Sequence, residues 1–315
     1  MNKVIISQLI PTIQGEGPSV GTPVLLIRMG NCNLDCDFCD TKWSNNLKFG
    51  EVKKITSRTF SLPLTIDDTN FDDFIKYIIK EFISHYKINT ILLTGGEPFL
   101  NKDFIRKLVY NDKLTKIGKI EIETNGVLID NEEDYKSFDH WLRPIQLNIS
   151  PKLDPKYYRS KKIKTIEDII ELFKRNSKEF VHRILVDTPT TVNWKFVYDL
   201  GGEISIKKFI KEVPDVNSVF IMPLTPDYKN YKTEIEFLED FRDSSYDAID
   251  FCMQTGYIFT PRAHVFVFNS FKHRNELVDV RKKDIGPICV ESKTGPKRKP
   301  IITETFAGLL TILKK

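Results

Sequence analysis

No apolar run in this chain approaches the ~18 residues a bilayer span requires. The start, MNKVIISQLIPTIQGEG, carries one Lys and an apolar stretch but no small-residue cleavage site, so it reads as a strand rather than a leader. The expectation is a cytoplasmic protein without a membrane partner. Internal repeats and low-complexity tracts are absent. The net charge of +4 over 315 residues is too mild to argue for nucleic acid. The five histidines show no H-x3-5-H spacing, and no second cysteine pair exists to complete a four-ligand zinc site. Only five cysteines are present, three of them between positions 32 and 39. In a reducing compartment, thiols crowded in this way bind metal or do redox chemistry more often than they form disulfides. Cys252 and Cys289 stand alone and read as inert small hydrophobes.

What is present is an ordinary globular composition, 41% hydrophobic and 29% charged, long enough for one large domain or two modest ones. Short β-rich runs alternate with helical patterns. Strands are predicted at 3–10, 23–30, 89–98, 119–126, 145–152, 180–187, 218–224 and 264–269, and helices at 71–86, 102–111, 165–175, 204–213 and 233–256, the last capped by Gly256. The β-then-α rhythm favours a parallel sheet covered by helices, in a full or partial (β/α) barrel. Such a fold places its chemistry at the carboxyl ends of the strands, and TGGEP, ETNG and SPK each follow a strand. Residues 46–70 are polar and irregular and read as an insertion. Residues 270–300, with RKKD and KTGPKRKP, read as a solvated basic tail, so nucleic acid is an unlikely partner.

The cysteines are spaced Cys32-x3-Cys36-x2-Cys39. Three thiolates on one short loop suit three irons of a [4Fe-4S] cluster, leaving the fourth iron open. The competing reading is a zinc knuckle completed by a distant residue. Glycines in TGGEP (94–98) let the backbone come close to a ligand.

The C-x3-C-x-φ-C pattern, with Phe38 as the aromatic, resembles the signature of radical S-adenosylmethionine (SAM) enzymes, and TGGEP is similar to their glycine-rich SAM motif. The stretch PTIQGEGPSVGTPVLLIRMGNCNLDCDFCDTKW further resembles the 7-carboxy-7-deazaguanine synthase family; weaker similarity runs through TGGEP, ETNG, ISPK and PRAH to about residue 269. The resemblance implies a partial (β/α) barrel of the radical SAM type with a catalytic domain over 1–269 and an extension over 270–315. It implies a carbon–nitrogen lyase that turns 6-carboxy-5,6,7,8-tetrahydropterin into 7-carboxy-7-deazaguanine and ammonia, in 7-deazapurine biosynthesis of the queuosine type. The implied cofactors are a [4Fe-4S] cluster, SAM and Mg2+, and the implied partners are a flavodoxin-like or other electron donor and a second copy in a homodimer.

Site residues follow from the same resemblance. Cys32, Cys36 and Cys39 would hold the cluster and Thr41 the Mg2+, which prefers oxygen ligands. Phe38, Asp40, Gly95, Gly96, Glu97, Glu123, Thr124, Asn125, Ser150, Pro151 and Lys152 would lie around SAM. Ile13, Gln14, Gly15, Glu16, Arg28, Thr94 and His264 would meet the substrate, with Glu16 and Arg28 at the reacting centre. On the residues alone, Gln14 and Glu16 can pair with a pterin edge, and Arg28 can clamp a carboxylate or sit in an internal ion pair. Asp40 and Thr41 also suit a helix cap, Lys152 a surface lysine, and His264 a core position. The family's Gln-Pro pair after a late strand is replaced here by Met222-Pro223. Two other activities share part of the pattern: an activase that makes a glycyl radical on a partner protein, and a non-enzymatic metal-binding nucleic-acid module.

Overall fold

A computed structural model describes residues 1–44, 64–129, 144–176, 191–199, 202–213, 216–227 and 230–267. Nine strands form one sheet: β1 (Val4–Ile13), β2 (Pro23–Met29), β3 (Leu64–Ile66), β4 (Thr90–Gly95), β5 (Lys119–Thr124), β6 (Ile145–Ile149), β7 (Thr191–Tyr198), β8 (Ser218–Pro223) and β9 (Ile258–Phe259). Their order is β3-β1-β2-β4-β5-β6-β7-β8-β9. From β2 to β9 every pairing is parallel, whereas β1 runs antiparallel to both β2 and β3. The helices are α1 (Phe71–Ile78), α2 (Lys102–Val109), α3 (Ile166–Asn176), α4 (Glu203–Glu212), α5 (Glu234–Thr255) and α6 (Ala263–Val267). All described residues fall in one compact unit, Met1–Arg281.

Local chemistry explains the element ends. Asp72 and Asp73 stand in the first turn of α1, where the helix dipole favours acids. The helical pattern to residue 86 continues past α1 as a π-helical turn, Ile79–Ile83. Thr233 and Glu236 form a capping box at the start of α5, and Gly256 ends that helix at φ +75°.

The sheet has two differently composed faces. Outward residues of β5 to β7, among them Ile120, Ile122, Leu147, Trp194 and Phe196, are buried under helices. Trp194, Phe173 and Phe209 meet edge to face with centroids 5.2–5.9 Å apart. The alternate residues of the same strands, Glu121, Glu123, Gln146, Asn148, Asn193 and Lys195, join one hydrogen-bonded network on the other face. The ends of the sheet approach one another at that network. Gly17 N–H donates to Thr260 Oγ1 at 2.7 Å and Ala263 N–H to the Gly15 carbonyl at 2.9 Å, linking the chain after β1 to the chain after β9.

The structure departs from the expected elements at three places. The segment 264–269, expected as a strand from the alternation in HVFVFN, is the short helix α6 over its described part; Val265 packs on Phe237 and Phe241 of α5, and docking overrides the period-two pattern. The last part of the expected insertion, Leu64–Ile66, pairs with Val4–Ile6 inside the sheet. Strand β7 was not predicted. The expected strand at 180–187, residues 45–63, and residues 268–315 with the expected extension at 270–315 lie outside the described residues.

Candidate active site

The cysteine loop leaves β2 and is fastened beneath the turn that follows β4. Gly96 N–H donates to the Met29 carbonyl at 3.0 Å and Glu97 N–H to the Asn31 carbonyl at 2.8 Å. This contact is why the turn needs glycines. A Cβ on Gly96 would stand 1.6 Å from the Asn31 carbonyl oxygen, and one on Gly95, at φ +135°, would stand 2.1 Å from that of Met29. The close approach is to the protein's own backbone.

Glu97 is completely buried. Its carboxylate accepts from Thr124 Oγ1 at 2.6 Å, Phe99 N–H at 3.0 Å and Asn125 N–H at 2.8 Å, tying TGGEP to ETNG. Burial raises its pKa against the pull of these donors. Glu97 thus joins two loops, and Thr124 serves the same tie. Asn125 reaches the cysteine loop, donating from Nδ2 to Asn33 Oδ1 at 2.7 Å and lying 3.9 Å from Cys32 Sγ.

Cys32, Cys36 and Cys39 are free thiols. Burial pushes the Cys36 thiol up to about 11 and raises Cys32; neighbouring cysteines add to both shifts and Lys152 opposes them. Among the described residues no three His, Cys, Asp or Glu side chains converge to hold a single metal ion. Three soft thiols from one loop, with an ammonium close by to offset thiolate charge, fit an iron–sulfur cluster held one iron per thiol. Lys152 donates to Ser150 Oγ at 2.9 Å and lies 5.5 Å over the Phe38 ring, so the segment after β6 packs on this loop. Thr41 Oγ1 is 3.5 Å from Cys39 Sγ, which puts an oxygen ligand for a hard cation beside the thiols.

From the cysteine loop a line of five charged side chains, alternating in sign, runs into the polar interior. Asp40 accepts from Arg262 Nη2 at 2.7 Å, and Arg262 Nε donates to Glu16 at 2.9 Å. Lys195 Nζ donates to the other Glu16 oxygen at 2.7 Å and to Glu123. Burial works to raise the Glu16 carboxyl, but Lys195, Arg262 and His264 together hold it well below the usual carboxylate range. Burial raises Glu123, with Glu16 and Glu121 adding to it and Lys195 only partly offsetting it. The two acids are thus pushed apart, as acid–base partners commonly are. Burial works to raise Asp40, but Arg262, His264 and Arg28 together hold it below its ordinary value. His264 sits 3.8 Å from Glu16, and burial pushes its imidazole down to about 4.

Most expected site residues meet here: Gly15, Glu16, Asp40, Glu123 and His264 in one cluster, the three cysteines and Thr41 beside it. Gln14 is fully engaged within the protein. Its Nε2 donates to Glu121 at 2.7 Å and Glu123 at 3.2 Å, and its Oε1 accepts from Glu16 N–H at 3.3 Å, so it braces the acids. Arg28 donates to Gln8 at 2.9 Å, its charge is felt at Asp40 and His264, and Thr94 is its register partner on β4. Ile13 ends β1 next to Gln14, and Ser150, Pro151 and Lys152 follow β6. Lys195, Arg262 and Asn148 were missed. A lysine inside the apolar run VNWKFV and an arginine in PRAH were the available signals, since a buried charge requires a partner.

A family model described as the radical SAM superfamily matches residues 26–193. The 7-carboxy-7-deazaguanine synthase of Hyperthermus butylicus is 32% identical over 130 residues, 41% of this chain and 46% of that protein. That of Halobacterium salinarum is 34% identical over 153 residues, 47% of this chain and 45% of that protein. The chain thus spans about half the length of these curated relatives. A crystal structure of QueE from Escherichia coli superposes with a TM-score of 0.50 at 16% identity, covering 83% of this chain and 95% of that one; this shows a shared fold.

Proposed function

The chain belongs to the radical SAM superfamily, and from that premise we propose that it is a 7-carboxy-7-deazaguanine synthase, converting 6-carboxy-5,6,7,8-tetrahydropterin to 7-carboxy-7-deazaguanine with loss of ammonia. The observation that carries the reading is the convergence of Glu16, Glu123, Asp40, Arg262 and His264 beside the cysteine loop. A site for cluster and SAM alone has no need of this polar array. In this reading Cys32, Cys36 and Cys39 hold the cluster, the Gly95–Gly96 turn and the segment Ser150–Lys152 hold SAM, and Thr41 takes Mg2+. Cluster and SAM, once bound, supply the radical that removes a hydrogen atom from substrate.

The chain's own residues bind, orient and hold protons. Glu16, kept ionised by Lys195 and Arg262, accepts from a ring N–H of the pterin. Arg262 and Arg28 supply positive charge toward the substrate carboxylate. Glu123, with its raised pKa, is the group suited to take up a proton as the ring aromatises. His264, neutral at pH 7, offers a hydrogen bond without adding charge. The catalytic domain spans 1–269 in this reading, an electron donor of flavodoxin type reduces the cluster, and the protein works in the cytoplasm as a homodimer. Among the described residues no helix is long and apolar enough to cross a membrane.

The test is anaerobic reconstitution with iron and sulfide, then addition of SAM, Mg2+, a reductant and the carboxytetrahydropterin. Deazaguanine absorbance and mass are expected. SAM cleavage without product would overturn the substrate assignment, and a glycyl radical formed instead on a protein would favour the activase.

A further inference from the structure

The inner end of the line of charges is an ordered array: an acceptor, a donor and an acceptor. Lys195 stands between Glu16 and Glu123, bonded to both. An ammonium has three protons; two meet these carboxylates, and among the described residues no side chain takes the third. Lys195 is 4% exposed and each of the two acids 14%, so a ligand reaching the array meets groups already stripped of most water. Rigid, desolvated groups of this kind discriminate strongly, because a ligand lacking the matching group leaves them unpaired.

Three segments build the array: the QGEG turn after β1, β5, and β7. Gln14 and Asn148 both donate to Glu123 Oε1, and Arg262 fixes the other oxygen of Glu16, so neither acid can swing away from the lysine.

A tetrahydropterin carries one edge with the complementary order: a ring N–H, the ring carbonyl, and a second ring N–H. We propose that Lys195 is a specificity-determining residue that, with Glu16 and Glu123 on either side, reads this N–H, C=O, N–H edge. The proposal rests on the function proposed above and names a subsite within it. The line of charges also gives the array a direction. Beyond Glu16 come Arg262, Asp40 and the Cys39–Thr41 loop, so the carboxylate beside one ring N–H of 6-carboxytetrahydropterin is turned toward the guanidinium. An oxidised pterin replaces one N–H by a bare nitrogen, whose lone pair faces a carboxylate. A diaminopteridine replaces the carbonyl by an amine, which faces the ammonium, and also lacks the neighbouring ring N–H, so a bare nitrogen faces a carboxylate there.

The test is direct anaerobic binding to the reconstituted protein with SAM and Mg2+ present, by calorimetry or fluorescence. The probes are 6-carboxytetrahydropterin, 6-carboxypterin and 2,4-diaminopteridine-6-carboxylate. Wild type is expected to bind the first at least about tenfold tighter than the second, and the second about tenfold tighter than the third. Lys195→Met is expected to weaken binding of the first about a hundredfold and to narrow clearly the gap between the oxo and amino compounds, the remainder being set by the ring N–H that the amino compound lacks. Should that variant not fold, with Glu123 left without its cation, Lys195→Met combined with Glu123→Gln removes the imbalance and is expected to narrow the same gap. Lys195→Arg, which keeps the charge and the donors, is expected to retain it. Equal affinity of wild type for the oxo and amino compounds, or unchanged discrimination without the lysine, overturns the inference. Turnover of the carboxytetrahydropterin in the face of that result leaves the proposed function standing; absence of turnover with SAM cleaved overturns the function itself.

Discussion

Replacing Glu97 by Gln tests whether the acid of TGGEP ties two loops or meets a ligand. In the native protein Oε1 accepts from Thr124 Oγ1 and Phe99 N–H, and Oε2 accepts from Asn125 N–H at 2.8 Å. A glutamine keeps the first oxygen as acceptor but turns an NH2 toward the Asn125 N–H, so two donors face each other in a site with no access to water. Losing one hydrogen bond to a charged group and leaving a buried donor unmet costs about 2–3 kcal/mol. At roughly 2–4 °C per kcal/mol for a chain of this size class, the thermal midpoint should fall by about 5–10 °C. Because Asn125 also reaches the cysteine loop, looser binding of iron should accompany the shift. The assay is anaerobic thermal unfolding together with the iron-to-protein ratio after desalting. An unchanged midpoint with SAM affinity lowered tenfold or more would refute the reasoning, since the carboxylate would then be acting on the cofactor.

Gly96→Ala should be worse tolerated than Glu97→Gln. Its Cβ meets the Asn31 carbonyl oxygen at 1.6 Å, a backbone atom that can yield only if the cysteine loop moves; reconstituted iron well below that of wild type is expected, and full iron content would contradict the packing argument. His264 gives a pH test. Its folded pKa, about 4, lies below the unfolded value near 6.5, so the unfolded state binds the extra proton. Stability due to this group is complete above about pH 6.5 and declines as the pH falls toward 4. In His264→Gln the decline in thermal midpoint between pH 6.5 and 5 should be shallower, and a slope equal to wild type would show that the imidazole titrates normally.

The sequence alone determined the cysteine loop, TGGEP and QGEG, because their chemistry is written in residue type and short spacing. It also determined the β-then-α rhythm, because apolar periodicity is local, and the capping of α5, where Thr233, Glu236 and Gly256 act within a turn or two. The region after α3 was less legible. Strand β7 is buried on both faces and shows little of the alternation that marks a half-exposed strand, so its lysine was not recognised as an inward residue. The tertiary structure decided what the polar motifs do. The Gly95–Gly96 turn packs against the Met29 and Asn31 backbone, and Glu97 ties TGGEP to ETNG. It also brought Lys195 and Arg262, 179 and 246 positions along the chain from Glu16, onto the two oxygens of that one carboxylate. No local pattern encodes such a pairing. It follows from the sheet's two ends meeting near the QGEG turn, and from the rule that charges withdrawn from water must find one another.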